Sequence, residues 1–126
     1  MITFKKFKAA TVQTSPVFLN VEKTIEKAIS FIKEAHENGA KLIAFPEVFI
    51  SGYPYWNWIM TPVQGSKWYE ELYKNSVAVN DVAMQALYNA ANEYDMTVVI
   101  GINERGDSYG EIYNTNLIID NHGNVI

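Results

Sequence analysis

Residues 41–58 read KLIAFPEVFISGYPYWNW, and this stretch decides the reading of the chain. Leu42-Ile43-Ala44-Phe45 is an apolar run with the length and bulk of a buried β-strand. Pro46 has no backbone N–H to donate, so the strand is expected to stop there. Glu47 follows directly, which sets a carboxylate at the carboxyl end of a strand, the end at which open α/β sheets bind ligands. Phe45, Phe49, Tyr53, Tyr55, Trp56 and Trp58 surround it, interrupted by the turn formers Gly52 and Pro54. A glutamate flanked by this much apolar area is expected to be desolvated, which would suit it to general-base work. The bland alternative is a solvated Glu in a strand-to-loop turn, beside aromatics that merely pack the loop.

Outward from this centre the chain reads as alternating elements. Phe7–Thr14 is a first strand, with Ala9 and Ala10 small enough to lie under a helix, and Ser15-Pro16 ends it. Asn20 is a good helix N-cap. Ile25, Ala28, Ile29, Ile32 and Ala35 then fall on one helical face, and Gly39 closes the helix. Strand, helix and strand with short links make a βαβ unit, which implies parallel pairing. Past the aromatic stretch, 66–74 predicts a short helix and Asn80 or Asp81 to Tyr94 a stronger one. TVVIGI at 97–102 reads as a third strand, buried on both faces. A polar turn over 104–110 leads to an antiparallel fourth strand at 112–120. Alternation there puts Tyr113, Thr115, Leu117 and Ile119 on one face and Asn114 and Asn116 on the other. Asn121–Asn124 is a further hairpin turn, and Val125-Ile126 would begin a fifth strand.

Composition narrows the function classes. The 126 residues amount to one domain or part of one, and the expectation is part of a larger fold, since the last turn promises a partner strand. A net charge of −4 argues against nucleic acid and against an anionic membrane surface. There is no cysteine, which removes disulfides, thiolate metal sites and thiol nucleophiles from these residues. No signal-like segment opens the chain, so a cytoplasmic location is the expectation. His36 and His122 have no partners at metal-binding spacing, and Gly101, Gly106 and Gly110 form no phosphate loop. No metal and no cofactor are expected. Lys41 and Lys67 could approach Glu47, though a surface ion pair is their commoner use.

FPEVFISGYPYW resembles the segment of the nitrilase family of carbon–nitrogen hydrolases, in its nitrile-hydrolysing branch, that bears the first catalytic residue. FKAATVQTSPVFLNVEKTIEKA resembles that family's first strand and helix, and TVVIGINERGDSYGEIYNTNLIIDNHGNVI the segment that leads to its catalytic lysine. The resemblance implies an α/β fold, part of an αββα sandwich, with 1–126 as the N-terminal part of a single hydrolase domain. It implies a Glu, Lys and Cys site in which the thiolate attacks a nitrile carbon and water then releases ammonia and a carboxylic acid. Only Glu47 carries over as a catalytic position. Phe49, Tyr53 and Trp56 match positions near the family's substrate pocket, and Glu104, Tyr113 and Asn114 match residues with supporting roles. The implied partners are a small nitrile and either a second copy of the chain or a missing C-terminal segment. The alternative is a catalytically inert binding or oligomerising module built on the same half-fold.

Overall fold

The computed structural model describes all 126 residues and contains one four-stranded sheet in the order β1-β2-β3-β4. The strands are β1 (Lys8–Thr11), β2 (Ala40–Ala44), β3 (Thr97–Arg105) and β4 (Ile112–Ile119). The first three run parallel, and β4 returns antiparallel to β3. The helices are α1 (Val21–Glu37), α2 (Pro62–Lys74) and α3 (Val82–Glu93), and a 3-10 turn spans Tyr55–Trp58. The fold is mixed α/β, as the sequence implied.

The periodicity of α1 explains its place. Asn20 Oδ1 accepts from the Lys23 amide at 2.9 Å, and the helix then buries Ile25, Ala28, Ile32 and Ala35. Helix α3 buries Met84, Leu87 and Ala91 beside it. Both stripes close over one face of the sheet, where Ile43, Val98, Ile100, Ile102, Leu117 and Ile119 are at most 4% exposed. Val98, Ile100 and Ile102 alternate with Val99, Gly101 and Asn103, which therefore point to the opposite face. Register carries that division across the hairpin, because Ile100 faces Leu117 whereas Gly101 faces Asn116 and Asn103 faces Asn114. The predicted alternation of β4 is found, with Leu117 and Ile119 in the core and Asn114 and Asn116 exposed.

Several boundaries differ from expectation. Strand β1 covers four residues rather than the eight of 7–14, and of the two alanines expected to lie under a helix only Ala10 packs against the core, since Ala9 is exposed. Helix α2 begins four residues earlier than residue 66. Thr61 Oγ1 accepts from the Gln64 amide, and the Gln64 side chain returns to the Thr61 amide, a capping box with Pro62 at the first helical position. Strand β3 runs on to Arg105, because β4 supplies partners for Asn103, Glu104 and Arg105 that a single strand cannot foretell. The fifth strand is one bridge, Ile119 to Val125, with the Ile126 amide donating to the Ile118 carbonyl at 3.1 Å.

Candidate active site

Glu47 sits on the crest of an interruption in the β2–β3 ladder. The Phe45 amide still donates to the Val99 carbonyl at 2.8 Å, and pairing resumes where the Ile50 amide donates to Gly101 at 3.1 Å. Between these points residues 46–48 rise over β3. Gly101 makes the crossing possible, because a Cβ there would lie 2.3 Å from the Val48 nitrogen and 2.6 Å from the Pro46 carbonyl oxygen. Val48 takes a φ of +39°, a conformation that costs a non-glycine residue about 1–3 kcal/mol and persists only where its surroundings impose it. Leaving the loop, Gly52 is fastened by the buried Asn103, whose Nδ2 donates to the Gly52 carbonyl at 2.9 Å. The Ser51 hydroxyl donates to the Asn75 carbonyl just after α2, which ties the loop to that helix as well.

The Glu47 carboxylate is exposed, not desolvated, which corrects the expectation from its aromatic neighbours. The reason is that the bulky rings turn elsewhere. Phe49 is 1% exposed and packs on Phe45 in the helix-side core, with ring centres 5.3 Å apart. Trp56 is buried between Phe18 and Trp68, at 6.3 and 6.1 Å, and its indole lies against Gly65 of α2. None of the chain's ion pairs involves Glu47, and Lys41 instead meets Asp95 at 2.5 Å. The polar partner of Glu47 is Asn114, whose Nδ2 donates to Oε1 at 2.6 Å. The two residues border a cavity of about 280 Å³, lined also by Tyr53, Asn103 and Ile112 and by Tyr69 and Leu72 of α2. Of the three substrate-wall candidates, Tyr53 therefore shares the cavity beside Asn114. Trp56 borders a different recess with Met60 and Tyr69, and Phe49 belongs to the core. Glu104 and Tyr113 face each other in register on the other side of the hairpin from Asn114. There Glu104 accepts from the Thr115 hydroxyl at 2.6 Å.

Residues 8–126 match the family model described as carbon-nitrogen hydrolase. The chain belongs to the carbon-nitrogen hydrolase family. It is 42% identical over 121 residues to an aliphatic nitrilase of Rhodococcus rhodochrous, covering 95% of this chain and 32% of that protein. It is 40% identical over 126 residues to a nitrilase of Bacillus sp. (strain OxB-1), covering 100% of this chain and 36% of that protein. The chain thus spans about a third of the length of the curated relatives it matches. Its fold is similar to that of an amidase from Nesterenkonia sp., with a TM-score of 0.64 at 22% identity over 94% of this chain and 40% of that one.

Within this carbon-nitrogen hydrolase chain, two residues of the site escaped the sequence reading. Asn103 looks like the polar end of an apolar strand, and its only signal is that it shares parity with Gly101. Gly101 belongs to no glycine motif, and its role depends on a loop more than fifty residues earlier in the sequence. No group of three or more His, Cys, Asp and Glu side chains is placed to hold a metal ion. No helix is long and apolar enough to cross a membrane.

Proposed function

We propose that this chain supplies the general base, Glu47, and one wall of the substrate cavity of a nitrilase-type hydrolase that converts a nitrile to a carboxylic acid and ammonia. The observation that carries the reading is a carboxylate at the carboxyl end of a parallel strand, oriented by an amide beside a cavity, in a chain of the carbon-nitrogen hydrolase family. In this scheme Glu47 takes the proton from the attacking thiol, the thiolate adds to the nitrile carbon, and the proton passes from Glu47 to the nitrile nitrogen, which gives a thioimidate and restores the carboxylate. Glu47 next deprotonates a water that adds to the thioimidate. Ammonia leaves with a proton returned to it, and a second water frees the acid from the acyl-enzyme. The thiol comes from protein outside these residues, since the 126 contain no cysteine, and the family resemblance assigns the charge-stabilising lysine there as well. Tyr53 bounds the cavity beside the base, and Asn114 orients it. The open sheet face, with Ile118 38% exposed, is expected to be covered in the working protein by a second copy or by further chain.

The inert-module reading is favoured for the 126 residues by themselves, again because no thiol is present. One experiment addresses both. Ammonia release from a set of nitriles is followed for the intact protein, its Glu47→Gln variant, and the 126-residue chain alone. Glu47→Gln keeps the shape and removes the base, so turnover should fall by at least ~10²-fold with little change in melting temperature. The short chain should release none. Undiminished turnover in Glu47→Gln would remove Glu47 from the mechanism.

A further inference from the structure

We infer that Asn114 is a positioning residue for Glu47, holding Oε1 so that Oε2 is left as the proton-accepting oxygen beside the cavity; this rests on the reading of Glu47 as the base. The backbone of Glu47 is fixed by the hydrogen bonds of Phe45 and Ile50 to β3. Its side chain is not fixed by them. A glutamate has three further torsions, and holding such a side chain in one rotamer costs about 1–2 kcal/mol of entropy. Asn114 is the one side chain that hydrogen-bonds this carboxylate, at 2.6 Å, and Oε2 has no hydrogen-bond partner within the chain. An amide donating to a carboxylate makes a charge-assisted hydrogen bond, stronger than a neutral one.

The donor is itself anchored. Asn114 lies in register opposite Asn103, and the Asn103 side chain is 4% exposed with its amide on the Gly52 carbonyl. Two adjacent positions of one hairpin thus fasten the two ends of the loop, the first through its backbone and the second through the acting side chain. Asn116 supplies the internal comparison. It is exposed on the same face of β4, two residues away, and makes no side-chain hydrogen bond to the loop. A merely solvent-facing asparagine would resemble Asn116. Asn114 instead meets a carboxylate 67 positions away in the sequence.

The test compares Asn114→Leu, Asn114→Asp, Asn116→Leu and Glu47→Gln in the intact protein, with kcat and KM for ammonia release measured from pH 5 to 8. Loss of orientation at a reacting group costs up to ~10²-fold, so Asn114→Leu should lower kcat by about 10-fold or more with KM within about threefold. Asn116→Leu should leave both unchanged. Asn114→Asp places a second carboxylate against Glu47 and should be poorer than Asn114→Leu at neutral pH. As pH falls the pair takes up one shared proton, the Asp hydroxyl can donate in place of the amide, and kcat should recover relative to Asn114→Leu. A purely structural role produces no such recovery, and Asn114→Asp decides the matter even if Asn114→Leu fails to fold. Asn114→Leu with kcat within twofold of the parent, or Asn114→Asp lacking the low-pH recovery, would overturn the inference while a dead Glu47→Gln leaves the function standing. Full turnover in Glu47→Gln would overturn both.

Discussion

Gly101→Ala adds a single methyl group, and the structure specifies what it meets. The new Cβ would lie 2.3 Å from the Val48 nitrogen, 2.6 Å from the Pro46 oxygen and 2.7 Å from the Glu47 carbonyl carbon, where ordinary contact begins at 3.4 Å. All three are backbone atoms, so no side chain can rotate aside. The crest over β3 must lift by about 1 Å, yet it is pinned on both sides by the Phe45 and Ile50 hydrogen bonds. Overpacking of this kind costs about 1–3 kcal/mol, and each backbone hydrogen bond given up adds about 1 kcal/mol. The expected total is about 2–5 kcal/mol, which at a urea slope of about 2 kcal/mol/M moves the midpoint down by roughly 1–2.5 M. Urea titration followed by tryptophan fluorescence measures it. Because the displaced atoms carry Glu47, turnover of the intact protein should fall by up to ~10²-fold in the fraction that still folds. A Gly101→Ala protein whose midpoint lies within about 0.3 M of the parent and whose turnover is intact would refute the claim that Gly101 seats the loop.

Two further outcomes are expected. Trp56→Ala removes a ring that is 6% exposed and wedged between Phe18, Trp68 and Gly65, so it should cost about 3–5 kcal/mol in thermal or urea unfolding. Any loss of activity should then be parallel for all nitriles, and a change in substrate preference at full stability would restore Trp56 to the pocket wall. In acid, hydrogen bonds from Asn121 and then Lys41 hold the Asp95 carboxyl below the usual aspartate range, and the Asn124 backbone and side chain do the same for Asp120. A lowered folded value contributes stability above the ordinary aspartate pKa of about 3.9 and loses it as pH falls through the lower folded value. Replacing both by Asn should therefore flatten the stability loss below about pH 4 and leave the pH 5–7 range unaltered in slope, as followed by thermal melts.

Much of the fold was legible because its signals are local. The apolar run at 42–45, the stop at Pro46 and the amphipathic face of α1 each follow from residues within one element, and the N-cap at Asn20 formed as its type predicts. The parity of β4 was readable for the same reason. What was not legible depends on pairs far apart in the chain. The desolvation of Glu47 was inferred from neighbours in sequence, but Phe49 and Trp56 turn toward the core and α2, while the partner that reaches the carboxylate comes from β4. Asn103 and Gly101 became interpretable only once the loop was seen to cross β3. The start of α2 was readable in principle from Thr61-Pro62-Val63-Gln64, but Gly65 reads as a helix breaker until Trp56 is found lying against it.

The two faces of the sheet explain why the candidate site lies where it does. On the helix face the paired stretch from Val98 to Ile102 of β3 and from Leu117 to Ile119 of β4 presents only buried apolar side chains, which leaves no room there for a hydrated group. On the other face character changes along the strands. Val99 pairs with Ile118 at one end, Gly101 with Asn116 in the middle, and Asn103 with Asn114 toward the carboxyl end of β3. A layer packed on this face gains apolar area at the Val99 end and little at the Asn103 end, so it would seal the first and leave the second as a recess. That recess is where the interrupted ladder delivers Glu47. The parallel order of β1, β2 and β3 places the end of β2 beside the middle of β3, and one glycine lets the loop cross there. Polarity of the face, position of the carboxylate and orientation of its amide partner thus follow from a single register. A shift of β4 by one residue would put Asn114 on the helix side and leave Glu47 without a donor.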